Sequence, residues 1–193
     1  MRFTGRMATA MKRIAIDVGH ADGSGARGNG LEEHAVCSKI AVALKECLES
    51  FRLQSFGAEV VDFPERGNSG DLVATVQAVN AGGYDACVSL HMDASDNDAA
   101  RGAHVCYVSS NGKRMAKEIA LRLCGQLPGR SQQVVQRTDL YVLRKTKPVA
   151  VLVECGFITH AGDAAWVKAH VVEVARAIAL GVAAYFDEKE GAA

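Results

Sequence analysis

Long hydrophobic runs are missing from this chain. No uninterrupted apolar stretch reaches the roughly 20 residues of a membrane span. The segment nearest to one, VVEVARAIALGVAAYF, contains Glu173 and Arg176 and reads as a helix packed on a core. Net charge is missing too. Lys plus Arg and Asp plus Glu both count 22, so no global basic field draws in nucleic acid or an anionic membrane. None of the six cysteines, at positions 37, 47, 87, 106, 124 and 155, forms a CxxC pair, which removes support for zinc-ribbon and thioredoxin readings. Cys87, Cys106 and Cys155 sit in apolar runs, where cysteine acts as a small hydrophobe. The N-terminus, MRFTGRMATAMKR, has basic residues but no apolar core of a secretory signal. Low-complexity linkers and internal repeats are absent. What remains, in 193 residues, is one soluble domain. An extension is expected over 1–11, the domain over 12–187 and a tail over 188–193, with synthesis in the cytoplasm and no recognisable signal peptide.

Strand-like and helix-like patterns alternate along the chain. KRIAIDV (Lys12 to Val18) reads as a strand ended by Gly19. From Leu31 to Ser50, Val36, Ile40, Ala43, Leu44, Cys47 and Leu48 recur at helical spacing. Ala58 to Phe63 reads as a strand that Pro64 helps to end, and Asp71 to Ala81 as a helix closed by Gly82 and Gly83. Ala86 to Leu90 and Ala103 to Val108 are further strands, and Lys113 to Leu127 a helix. Val149 to Val153 is the most apolar strand, and Asp163 to Phe186 a long terminal helix. This alternation predicts an α/β fold: a single mixed, largely parallel β-sheet flanked by helices on both faces.

In such a sheet, ligands bind beyond the carboxyl ends of the strands. The first strand delivers His20, the third His91 and the last Glu154. Glu33, in the first turn of the helix from Leu31, shares a face with Val36 and Ile40 and should turn toward the sheet. Each has an ordinary reading. A first-turn Glu complements the helix dipole by about 0.3–1 kcal/mol; a His after a strand is commonly a hydrogen-bonded loop residue; a strand-end Glu can be salt-bridged. Convergence on one rim weakens all of these together. Two histidines and a carboxylate match a catalytic zinc set with one open position, and a further carboxylate can serve as acid/base. The pattern places His34 toward solvent, His170 on the surface and His160 behind the site. His104 lies on a strand whose face is open. Cys155 alone among the cysteines is a nucleophile candidate, yet it points away from Glu154.

IAIDVGH, GNGLEEHAV, DACVSLHMDAS and LYVLRKTKPVAVLVECGF, in that order, resemble the zinc-dependent N-acetylmuramoyl-L-alanine amidases, cell-wall hydrolases of bacteria and phage lysins. The resemblance covers roughly Ile14 to Tyr185. It implies Zn2+ held by His20, Glu33 and His91, with Glu154 as acid/base. The implied reaction is hydrolysis of the amide between the lactyl group of N-acetylmuramic acid and L-alanine of the peptidoglycan stem peptide. It also implies action on the cell wall by a monomer, with muropeptide and not nucleic acid as partner. Departures from the family pattern are Val18, Ala21–Asp22, Thr75, Asp93 and His160, whereas Asn80 is retained. Asn80, Asp93 and Arg144 are the candidate substrate contacts. MDASDNDAAR, after His91, is too short for a blocking helix and predicts an open site. Other readings are a zinc peptidoglycan peptidase or carboxypeptidase acting on a different bond, a cysteine amidohydrolase, and an inactive wall-binding module.

Overall fold

The computed structural model describes residues 11–51, 56–63 and 68–191. Apart from Met11, the expected N-terminal extension lies outside these residues, as does Pro64. Six strands form the main sheet: β1 (Lys12–Val18), β4 (Phe56–Val61), β5 (Ala86–Asp93), β6 (His104–Tyr107), β7 (Val134–Gln136) and β8 (Val149–Phe157). Their order is β4-β1-β5-β8-β6-β7. Pairs β1/β4, β1/β5, β5/β8 and β6/β7 are parallel, and β6/β8 is antiparallel. The sheet is therefore mixed and largely parallel, as the alternation predicts.

The period of two along each strand sorts the side chains onto two faces. Ile14, Ile16, Val88, Leu90, Val105, Val151 and Val153 enter the larger core. They pack there with α1 (Glu33–Ser50), α3 (Ser110–Leu123) and α6 (Val171–Gly191). Burying each such branched side chain contributes about 1.5–3 kcal/mol. On the opposite face Ala15, Cys87, Cys106, Ala150 and Leu152 form a smaller cluster. It includes Val76 and Val79 of α2 (Asn68–Ala81) and Val142 and Leu143 of α4 (Tyr141–Lys145). Toward the carboxyl ends of β1, β5 and β8 this second face turns polar, with Asp17, Ser89, His91 and Glu154. Asp17 and Ser89 are register partners, and the serine hydroxyl donates to the buried carboxylate. The site is built on this polar end.

Several expected boundaries move for local reasons. Leu31 and Glu32 form β3 (Leu31–Glu32), paired with β2 (Arg27–Gly28). Asn29 and Gly30 at their turn both have positive φ, 51° and 73°, the preference of a tight two-residue hairpin. The helix therefore starts at Glu33, and the Glu32 side chain caps it by accepting from the His34 and Ala35 amides. Ser109 caps α3 by accepting from Gly112 N, so that helix begins at Ser110 rather than Lys113. The single terminal helix expected from Asp163 is two, α5 (Ala161–Ala169) and α6, bent by 84°. His170 makes the break: its backbone leaves the helical region, its ring stacks on Trp166 at 4.5 Å, and its Nδ1 lies 2.8 Å from Trp166 O. Helix α6 continues to Gly191, through most of the expected tail. Among the described residues no single helix is long and apolar enough to cross a membrane.

Candidate metal centre and acid/base site

Gly19 ends β1 by donating to Leu90 O at 2.9 Å, which ties the ends of β1 and β5 together. A Cβ at this glycine would come within 2.5 Å of the His91 ring, so the close approach of the two strand ends requires Gly. The next residue, His20, has φ 63°, a left-handed backbone that non-glycine residues adopt at a cost. His34 supports it. The His34 ring, expected to face solvent, is buried; its Nδ1 lies 2.8 Å from His20 O and 3.3 Å from Gly19 O, and its Nε2 lies 3.4 Å from Asp62 Oδ2. The His34 side of the first turn of α1 is covered by the β1 loop and the end of β4, and the solvent-facing position of that turn falls to Ala35.

Glu33 is only 2% exposed. Its Oε1 lies 3.0 Å from His91 Nδ1 and accepts from Met92 N at 3.1 Å. Its Oε2 lies 3.3 Å from His20 Nε2 and accepts from Ala26 N at 2.8 Å. Burial works to raise its pKa, but the bonds from His20, His91 and Ala26 outweigh it and hold the carboxyl well below the usual carboxylate range. Burial likewise disfavours the charged form of His91, yet Glu33 and Glu154 raise its pKa on balance. The donor atoms of His20, Glu33 and His91 all lie within 4.8 Å of one another. Tetrahedral zinc with ligands at 2.0–2.1 Å sets neighbouring donors about 3.3 Å apart. The separations of 3.0 and 3.3 Å run to different oxygens of Glu33, so this one carboxylate is within reach of both rings, and two imidazoles and a carboxylate are usual zinc donors.

The strand expected to end at Val153 runs on to Phe157, which fixes Glu154 inside the sheet. Its Cα is in register with His91 on β5 and with His104 on β6, so the three side chains share one face. Burial pushes the Glu154 carboxyl up to about 7, with Asp93 and Glu33 adding to the rise and His91 and His20 opposing it. Its Oε2 is buried without a hydrogen-bond partner among the described residues. Among the described residues Glu154 is thus held in an apolar strand without a hydrogen-bond partner for Oε2, its pKa raised toward neutrality.

Beyond Glu154 the rim continues in residues that strand-end reasoning missed. His104 is buried, and burial with the cations Arg130 and Arg137 pushes it down to about 3, so the ring is neutral. Its Nε2 lies 3.7 Å from Asp93 Oδ2, and the same oxygen lies 3.4 Å from Arg130 Nη1. Asp93 thus sits on this rim, with burial raising its pKa. Asp163, fully buried, ties the region together by accepting from Gly102 N at 2.6 Å and Phe157 N at 3.0 Å. His160 reaches the rim only through it, as the cap of α5 accepting from Asp163 N. The chain passes from β5 to β6 without a helix, as the short segment predicts.

Two expected substrate contacts are elsewhere. Asn80 donates to Lys145 O at 2.8 Å and accepts from Lys147 N at 2.7 Å, which pins α2 to the segment entering β8. Arg144, expected in a loop, lies on α4 and lines a cavity with Thr146, Lys147 and Pro148. Both belong to the amino edge of the sheet, because α2 precedes β5 and α4 precedes β8. Five strand residues separate Val149 from Glu154, about 16 Å, too far for either side chain to reach. Cys155 is fully buried in the main core with its thiol pushed well above the usual range by burial, which removes it as a nucleophile. None of the six cysteines is in a disulfide.

A mixed α/β sheet carrying a His–Glu–His cluster and a buried carboxylate on its carboxyl rim defines the class: an α/β domain with a candidate metal centre. The family is narrower. Residues 14–184 match the N-acetylmuramoyl-L-alanine amidases, and the chain belongs to that family. N-acetylmuramoyl-L-alanine amidase LytC of Bacillus subtilis (strain 168) is 33% identical over 180 residues, covering 90% of this chain and 35% of LytC; the chain thus spans about a third of that relative's length. Protein YqiI of the same organism is 31% identical over 184 residues, with 92% of this chain and 86% of YqiI covered. The catalytic domain of the CD27L endolysin targeting Clostridia difficile has a TM-score of 0.77 at 29% identity, covering 89% of this chain and 96% of that one. An N-acetylmuramoyl-L-alanine amidase from Clostridium difficile 630 has a TM-score of 0.81 at 22% identity, covering 93% and 98%, and is alike in fold.

Proposed function

We propose that this domain hydrolyses the amide between the lactyl group of N-acetylmuramic acid and L-alanine of peptidoglycan stem peptides, with zinc held by His20, Glu33 and His91 and with Glu154 as acid/base. The observation that carries the reading is the pairing of a compact His–Glu–His donor set with a buried carboxyl in register with His91 on the neighbouring strand. Family membership supplies the bond. A bound zinc ion supplies Lewis acidity toward the carbonyl and water.

The chain's own groups do the rest. Glu33, anchored by the Met92 and Ala26 amides, keeps both histidine rings oriented. His34 holds the backbone of His20 in its left-handed turn. Glu154, clamped between β5 and β8's other neighbour β6, accepts a proton from the attacking water and returns it to the alanine nitrogen as the carbon–nitrogen bond breaks. The products are the free lactyl carboxylic acid and the free peptide amine. Burial raises the pKa of this carboxyl in the metal-free protein, which favours a group that both takes up and returns a proton.

The test pairs metal content by elemental analysis with product analysis on a muramyl-peptide, for wild type and Glu154→Gln. Zinc in both proteins with amide cleavage in the wild type alone supports the division of roles. Loss of metal from Glu154→Gln assigns Glu154 to the ligand set. Zinc binding with cleavage of a different bond, or of none, replaces the amidase reading by a peptidase or a wall-binding module.

A further inference from the structure

The half of the rim beyond Glu154 carries groups that the amide chemistry leaves without a task. His104 is in register with Glu154 on the next strand, its side chain is 5% exposed, and its Nδ1 has no hydrogen-bond partner among the described residues. Arg130 follows, contacting Asp93 at 3.4 Å with one nitrogen and lying 5.7 Å over the Phe157 ring. Its side chain is 32% exposed, and a guanidinium has five donors. It lines a cavity of about 270 Å3 together with Arg101, Gly129, Gln132 and Phe157. Arg137, further along β7's end, has both carboxylate oxygens of Asp139 within 2.8 Å and is already engaged. Arg101 leans to Asp163 at 3.9 Å. Carboxylates gather on the other flank, where Asp17 lies on β1, and Asp22 and Asp62 follow β1 and β4. On the β6 and β7 flank Arg130, Arg137 and Arg101 face Asp93, Asp139 and Asp163 in turn, Arg130 through one nitrogen.

We propose that Arg130 and its cavity receive a carboxylate of the stem peptide, on the residue that follows L-alanine, so that the leaving peptide runs from Glu154 toward Arg130. The inference rests on the amidase reading and adds the direction of the substrate and a specificity-determining residue. The distances agree. From the scissile carbonyl that carboxylate is two residues away, at most about 7 Å along an extended chain. Arg130 comes from the segment leading into β7, yet its guanidinium reaches back to Asp93, two residues beyond His91 on β5, and over the Phe157 ring of β8. The cavity is just below the roughly 300 Å3 of small-molecule sites, a size for one peptide residue rather than a glycan. Phe157 offers an apolar wall to that residue's methylenes, and Arg130 a fork for its carboxylate.

The experiment compares two substrates, N-acetylmuramoyl-L-alanyl-D-isoglutamate and its isoglutamine counterpart, which differ by carboxylate against carboxamide at that residue. Wild type, Arg130→Met and Arg130→Lys are assayed, with zinc content and thermal midpoint measured for each. Wild type is expected to favour the carboxylate by roughly 10- to 100-fold in kcat/KM, the range for a charge-assisted bond, mostly through KM. Arg130→Met is expected to bring the ratio near one, and Arg130→Lys to keep part of it. Equal turnover of both substrates by wild type, or an unchanged preference in a folded, zinc-loaded Arg130→Met, overturns the subsite and leaves the amidase reading intact. Turnover of neither substrate by zinc-loaded wild type overturns the amidase reading, and the subsite with it.

Discussion

The two halves of the cleft are built by strands running in opposite directions. On one side β1, β5 and β8 are parallel, and each delivers its polar residue at its carboxyl end: His20 after β1, His91 and Glu154 within the last turns of β5 and β8. On the other side β6 is antiparallel to β8, so the residue it brings to the same rim is its first, His104. Strand β7 runs with β6, and Arg130 accordingly comes from the segment before it. The first half concentrates buried, mutually bonded groups around Glu33. The second carries a neutral histidine and half-exposed arginines. A buried, mutually bonded centre with the donor set for a cation faces a more exposed flank of arginine and aspartate pairs.

The sharpest way to break this comparison is to change one group on the border. Glu154→Gln is expected to lower amide cleavage by about 10²- to 10⁴-fold, the usual span of acid–base catalysis, with zinc retained on elemental analysis. In the metal-free protein the same change should act on stability. The folded carboxyl, at about 7 against an ordinary value of 4.5, holds its proton more tightly than the unfolded one. Stability therefore falls as pH rises through the window from 4.5 to about 7 and levels off above it. Glu154→Gln should abolish that slope and gain up to about 3 kcal/mol at pH 8, at about 1.4 kcal/mol per pH unit, read from urea unfolding at pH 5 and pH 8 in the presence of a chelator. Equal slopes in the two proteins would mean that Glu154 keeps an ordinary pKa.

The centre can be loosened from behind. His34→Ala removes the ring that contacts His20 O, and zinc affinity measured by chelator competition should drop by about 10- to 100-fold, as for other groups that orient metal ligands. An unchanged affinity would reduce His34 to core filling. The smallest effects belong to the amino edge. Asn80→Ala should cost about 0.5–1.5 kcal/mol of stability, because the exposed Lys145 carbonyl and Lys147 amide exchange their partner for water, while kcat/KM stays within about two-fold. Arg144→Ala should leave cleavage unchanged to the same degree, and a large loss would bring Arg144 back to the substrate.

Much of the first half was readable because parallel α/β sheets obey a rule linear in the chain: look just past each apolar strand. Glu33 was readable for a different reason, since helical spacing ties it to Val36 and Ile40. His34 misled the same reasoning, because a helical wheel assigns one buried side, whereas the His34 side of the first turn of α1 is covered too, by the β1 loop and Asp62. The hairpin at Asn29–Gly30 had a local signal in its Asn-Gly pair. The break at His170 had none as clear, because it depends on the ring stacking on Trp166. Asn80 was drawn to the site by family pattern and Arg144 by its place before the last strand, and the direction of β5 and β8 carries both to the opposite edge.

By itself, the order of residues determined the alternation of strands and helices, the two-faced packing of each strand, and the candidate site residues His20, Glu33, His91 and Glu154, because these follow from periodicity and from what lies at strand ends. Only the tertiary structure decided that β6 enters antiparallel beside β8, which sets His104 in register with Glu154 and brings Arg130 within reach of Asp93. Strand order and direction are chosen by packing among elements distant in sequence, and no local period records that choice.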